Sequence, residues 1–220
     1  MDELKLLTAF LENRLKLELP GKASHMKMVP EIRFPEFDTP PVTPRNSSVL
    51  ILLYPKGKHI CIVVIQRPEY PGVHSGQVSF PGGKADERDS SIEATALREA
   101  QEEVDVNPDS VHVIGRLSPL FVSPSNFMIY PVVGVTSSTP VFKGDEKEVA
   151  AIYNIRLNDI ISGKCIQRKS IKLHRGIELV TPFYDIQGLT IWGATAMILS
   201  EFSDVVKEFS GQLQELSSIS

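Results

Sequence analysis

Two apolar, β-branched runs separated by three residues constrain this chain most: "SSVLILLYP" and "HICIVVIQR" flank Lys56-Gly57-Lys58. Strand-forming runs joined through a glycine predict an antiparallel hairpin. Further strands are predicted in "GQVSF", "VHVIGRL", "FMIYPVVGV", "AAIYNIRL", "KCIQRKSIKL" and "ELVTPFYDI". Three segments carry a helical period instead. Leu4, Leu7, Phe10, Leu11 and Leu15 predict an amphipathic helix over residues 2–17. Ser90 with Glu93 three residues on reads as a capping box, opening a helix that runs to about Val104 and ends before Asn107-Pro108. The last helix spans about Ile191 to Phe209, with Leu199, Phe202, Val205, Val206 and Phe209 on one face. Strands and helices mixed without strict alternation predict an α+β fold, a mixed sheet flanked by helices.

Prolines at 20, 30, 35, 40, 41 and 44 remove backbone donors between the first helix and the hairpin, so that stretch reads as a connector. We therefore divide the chain into an N-terminal helix and connector, 1–46, packed on a domain of residues 47–220. With 220 residues, one full hydrophobic core is the expectation. A composition of 42% hydrophobic and 23% charged residues excludes wholesale disorder and collagen-like or disulfide-scaffold classes. The net charge of −4 lacks the basic excess that nucleic-acid binders use, so nucleic acid is not an expected partner. A polyanionic substrate would need a local device such as a metal ion. Cys61 and Cys165 fall in predicted strands and read as reduced thiols. No signal-peptide pattern opens the sequence and no apolar run approaches the ~18 residues needed to span a bilayer. The expectation is a cytoplasmic protein without a membrane partner.

The segment "FPGGKADERDSSIEATALREAQEEVDV" carries the chemistry. Glutamates in a helix usually mark a solvated face. Here Glu99, Glu102 and Glu103 stand at i, i+3 and i+4 on one side, where each raises the cost of ionising the others. Hard divalent cations, Mg²⁺ or Mn²⁺, relieve such crowding through oxygen ligands. Arg98, four residues before Glu102, can hold a carboxylate from the flank. Gly82 and Gly83 allow a close backbone approach, in a plain turn or in a loop that hugs a substrate.

Gly-Gly, an acidic loop and Arg-Glu-x-x-Glu-Glu together resemble the Nudix box. Its spacing here is one residue longer than the common form, with Asp89 at the place of the first acid and Asp105 where glycine usually follows. An aspartate is expected to tolerate that left-handed helix end. Arg67, Gly76, Val78, Phe80, Pro81, Gly82 and Gly83 resemble the signature of the coenzyme A pyrophosphatase branch, while Pro68 and Gly72 replace its serine and second arginine. The late segment "IWGATAMILSEF" is similar to that branch too, so the resemblance extends from about residue 47 to 210.

The resemblance implies an α/β/α Nudix fold and hydrolysis of a nucleoside diphosphate derivative with Mg²⁺ or Mn²⁺ as cofactor. Coenzyme A or acyl-coenzyme A is the first candidate; ADP-ribose, NADH or a dinucleoside polyphosphate is the alternative, and a non-catalytic regulatory module is a third reading. By family carry-over Glu99 and Glu103 are principal metal ligands, Glu102 is a further ligand or acts through water, and Arg98 orients a glutamate. Glu148 is the candidate general base, against a solvated loop glutamate. Arg67, His74, Gly82, Gly83 and Lys84 are candidate substrate contacts, with a salt bridge as the other reading of Arg67. A homodimer is left open.

Overall fold

The computed structural model describes residues 3–30, 43–69, 75–172 and 178–219. Strand β1 (Arg45–Lys56) turns through Gly57 into β2 (His59–Gln66), giving the hairpin that the sequence predicts. The two strands pair only from Leu53↔Ile62 outward to Lys56↔His59. Beyond that they part, and β3 (Val78–Ser79) and β4 (Gly82–Lys84) fill the opening. Strand β3 pairs with Ile65 and Gln66, whereas β4 pairs with Ser47, Ser48 and Val49. The glycine pair is thereby wedged into the centre of the sheet.

Helix α3 (Ile92–Val104) follows the wedge, and β5 (His112–Arg116), β6 (Leu120–Val122), β7 (Phe127–Val135) and β8 (Ala151–Arg156) complete eight strands. Strand β7 runs parallel to β1 and antiparallel to β5 and β6, so the sheet is mixed, as expected. A second, three-stranded antiparallel sheet contains β9 (Ile166–Lys172), β10 (Glu178–Ile186) and β11 (Leu189–Ile191).

Alternation along β1 divides the core into two layers. Leu50, Leu52 and Tyr54 face Ala96, Ala100 and Val104 of α3. Ile51 and Leu53 face the other way, toward α1 (Glu3–Arg14), α4 (Leu157–Ile161) and α5 (Gly193–Ile219). Leu4, Leu7 and Leu11 of α1 are buried in that second layer with Met28 of the connector. At about 1.5–3 kcal/mol for each large apolar side chain, their burial ties the N-terminal segment to the domain.

Several boundaries differ from the sequence reading. The N-terminal helix is shorter than 2–17 and α5 is longer than 191–209. Ser91, not Ser90, caps α3: its side chain accepts from the Ala94 N–H. Asp105 does end that helix in the left-handed conformation, φ 59°. Cys165 lies just before β9 rather than inside it, and both cysteines are free. The connector contains a one-turn helix, α2 (Lys22–His25), while Pro35, Pro40 and Pro41 lie outside the described residues. No helix among the described residues is long and apolar enough to cross a membrane.

Candidate active site

The wedge puts backbone where side chains ordinarily stand. A Cβ on Gly82 would come within 2.3 Å of the Ser48 carbonyl oxygen, and one on Gly83 within 2.3 Å of a Glu99 carboxylate oxygen. Glycine at 82 thus makes room for the backbone of β1, and glycine at 83 for the Glu99 carboxylate. The Gly82 N–H donates to Glu103 Oε2 at 2.8 Å.

Glu103 is 1% exposed, yet its carboxylate has few donors. Arg67 Nη2 stands 3.6 Å from Glu103 Oε1 and donates to the Gly82 carbonyl at 3.3 Å. Burial pushes the Glu103 carboxyl up to about 7, with the Gly82 N–H and Arg67 opposing the shift and Glu99 and Glu148 adding to it. Burial also raises Glu99, against its hydrogen bond from Arg98 and with Glu102 and Glu148 reinforcing the rise.

Arg98 is the hub that restrains the cluster. Its Nε and Nη2 pair with Asp89 Oδ1 and Oδ2 at 2.8 and 3.0 Å, a two-pronged geometry that fixes the guanidinium. Its Nη1 donates to Glu99 Oε1 at 2.8 Å and to Glu102 Oε2 at 3.0 Å, and Nη2 also reaches the Lys84 carbonyl at 3.1 Å. Arg98 holds Asp89 well below the usual carboxylate range, with the Asp86 N–H and the Thr95 hydroxyl contributing. Asp89 enters the sequence reading only as the box acid; its loop position nine residues before Arg98 is the signal that hides its part in the site.

The three glutamates therefore divide. Glu99 and Glu103, one helical turn apart, reach the glycine pair, whereas Glu102 turns outward, its side chain 59% exposed, onto Arg98. They do not gather as equals: among the described residues no group of three or more His, Cys, Asp or Glu stands in metal-binding proximity. The donor set nevertheless fits a hard divalent cation. It consists of carboxylate oxygens on two largely desolvated glutamates, Glu99 paired with Arg98 and Glu103 with only a distant Arg67, beside backbone that a Cβ would obstruct.

Glu148 stands on a loop that docks on the C-terminal end of α3. Lys143 N–H donates to the Val104 carbonyl at 3.2 Å and Asp145 N–H to the Glu103 carbonyl at 3.1 Å. Glu148 is exposed, and its charge acts on both Glu99 and Glu103. Lys84 is exposed on β4, with its carbonyl toward Arg98. His74 and Gly72 lie outside the described residues.

The NUDIX domain model matches residues 44–171, more than half of the chain. The chain belongs to the Nudix hydrolase family. Its curated relatives include the uncharacterized Nudix hydrolases NudL of Yersinia enterocolitica and Yersinia pestis. The first is 38% identical over 148 residues, 66% of this chain and 73% of the relative. The second is 37% identical over 167 residues, 74% and 81% respectively. Among solved structures, the Nudix hydrolase RenU of M. smegmatis aligns with TM-score 0.48 and 10% identity, over 80% of this chain and 87% of that one. The MutT protein of Methanosarcina mazei aligns with TM-score 0.48 and 15% identity, over 74% and 96%.

Proposed function

We propose that this Nudix hydrolase cleaves the diphosphate bond of coenzyme A or acyl-coenzyme A, giving adenosine 3′,5′-bisphosphate and (acyl-)4′-phosphopantetheine. The observation that carries the reading is the union of the branch signature with the box. Gly82, at the end of Gly76-x-Val78-x-Phe80-Pro81-Gly82-Gly83, donates its N–H to Glu103, and Arg67 bridges the same two residues. Residues of the coenzyme A signature and the acidic helix thus form one cluster.

In this mechanism Glu99 and Glu103 would hold Mg²⁺ or Mn²⁺, with Glu102 a further ligand or acting through water. The bound cation supplies charge stabilisation for the phosphoryl oxygens and the leaving group. Water attacks one phosphorus; its oxygen bonds to that phosphorus, the bridging P–O bond breaks, and the departing phosphate takes the bond's electron pair. Glu148 accepts the water's proton, a role supported by its electrostatic reach to Glu99 and Glu103. Arg98 keeps Glu99 oriented through its own two-pronged hold on Asp89. Arg67, His74 and Lys84 are proposed to meet the substrate's phosphates, and Gly82 and Gly83 to let them approach.

Pro68 and Gly72 depart from the coenzyme A signature and favour one second reading, the same hydrolysis on ADP-ribose, NADH or a dinucleoside polyphosphate. Product analysis by mass spectrometry after incubation with each compound and Mg²⁺ or Mn²⁺ separates them. Release of 4′-phosphopantetheine, with coenzyme A cleaved fastest, is the expected result. Faster cleavage of another diphosphate would reject coenzyme A while keeping the chemistry.

A further inference from the structure

The face of the main sheet that carries α3 is not covered along its whole length. At the hairpin end lies a concavity of ≈ 500 Å³, lined by Lys56, His59, Cys61, Asn154 and Arg156 among others, with Tyr153 of β8 and Gln187 also contributing. Along β1, Lys56 is seven residues from Val49, where the glycine wedge pairs. That separation is roughly 23 Å at about 3.3 Å per residue, so the concavity is distinct from the acidic cluster.

Register explains the charge of this hollow. Lys56 lies directly opposite His59, and Cys61 directly opposite Arg156, so three basic side chains share neighbouring positions on one face. Lys56 and Arg156 both act electrostatically on the buried Cys61 thiol, opposed by the Asp159 carboxylate. Adjacent like charges on paired strands are unfavourable without a counter-charge. Asp159 meets Arg156 only loosely, at 3.7 Å. Among the described residues, neither Lys56 nor His59 has a carboxylate within ion-pair distance.

Polar groups of the hollow are held in place. The buried Tyr54 hydroxyl donates to Asn154 Oδ1 at 2.7 Å, so the amide's donor end, Nδ2, points away from that contact. Gln187 has a left-handed backbone, φ 55°, and its Nε2 donates to the Asn154 carbonyl at 3.0 Å, tying the β10–β11 turn to β8.

We propose that this hollow is a second, metal-independent anion site in which Lys56, His59, Arg156 and the Asn154 amide bind the phosphate of a small phosphate-bearing molecule. A guanidinium fork, an ammonium and an imidazole offer donors that match tetrahedral phosphate oxygens. The volume admits a phosphate group with a small substituent. The site stands independently of the diphosphate hydrolysis.

The test is a phosphate titration of the full-length, metal-free protein in excess chelator at constant ionic strength, read by NMR of the His59 ring, with its signals assigned by their loss in His59→Gln. Inorganic phosphate and adenosine monophosphate are titrated separately, distinguishing free phosphate from a phosphate ester as the occupant. Saturable shifts with either are expected. Lys56→Gln and Arg156→Gln should each weaken binding by roughly tenfold, whereas Glu103→Gln should leave it unchanged. Both substitutions are at exposed side chains, and an unaltered Tm verifies folding. Non-saturating shifts with both ligands, binding equal in the two variants and the native protein, or binding abolished by Glu103→Gln would overturn the site.

Discussion

Among the described residues two glutamates are fully buried, and their surroundings differ in one respect that separates structure from chemistry. Glu201, 0% exposed on α5, has its donors supplied by the chain itself. The Gly21 N–H reaches Oε1 at 2.9 Å, His25 Nε2 meets Oε2 at 3.0 Å, and the Ser118 N–H lies 3.2 Å from Oε2. Glu103, 1% exposed on α3, has one backbone N–H and a guanidinium 3.6 Å away. A buried carboxylate with a full donor set is a structural fastener; one left short of positive charge, beside a second carboxylate, is disposed to receive a cation.

The largest effect that can break this contrast is Glu103→Gln. Loss of the charge should lower Mg²⁺-dependent turnover by more than the roughly 10–100-fold typical of losing an outer-shell partner, with the circular dichroism spectrum unchanged. Near-native turnover in a steady-state assay would remove Glu103 from the metal site. Glu201→Ala should do the reverse. Leaving His25 and two backbone N–H groups without their acceptor should cost about 3 kcal/mol, lowering Tm by roughly 6–12 °C. Activity measured well below that Tm should change little.

Gly83→Ala tests the wedge itself. Its Cβ would fall on the Glu99 carboxylate, so the side chain must move away from the glycine pair. A drop in activity of roughly tenfold or more is expected, with a folding cost of about 1–3 kcal/mol by thermal melts.

The smallest effects are in pH dependence, and here two carboxylates have opposite signs. Asp89, depressed by Arg98, contributes stability that is present above the unfolded carboxylate value near pH ~3.9 and is lost as pH falls toward its lower folded value. Asp89→Asn should flatten that acid limb by about 1–2 kcal/mol in denaturant titrations. Glu103 is raised instead, so without metal its contribution is present below its ordinary value of 4.5 and is lost as pH rises through about 7. Metal-free native protein should therefore lose stability across that window, and Glu103→Gln should not.

Much of this was readable in the residues. The hairpin runs and the helical period of α3 report directly on local geometry, and the box residues identify the helix that bears the site. The wedge was less legible, because β1 and β2 part after Leu53↔Ile62 and "GQVSF" with "GGK" fills the opening; a non-local pairing leaves no periodic trace. The sequence reading treats Glu102 and Glu103 as members of one patch. About 100° of helical rotation sends one to the surface and the other beneath the glycines. Glu201 went unnoticed because His25, its partner, is 176 residues away in the chain.

The central claim, that the cluster around Glu103 is a divalent-cation site, is tested most directly by paired thermal melts at pH 8 with and without Mn²⁺ or Mg²⁺. Native protein at metal concentrations ~100-fold above Kd should gain about 2.7 kcal/mol, read as a rise of roughly 5–10 °C, and Glu103→Gln should gain little. Equal metal-induced shifts in the two proteins, or none in the native one, would contradict the account.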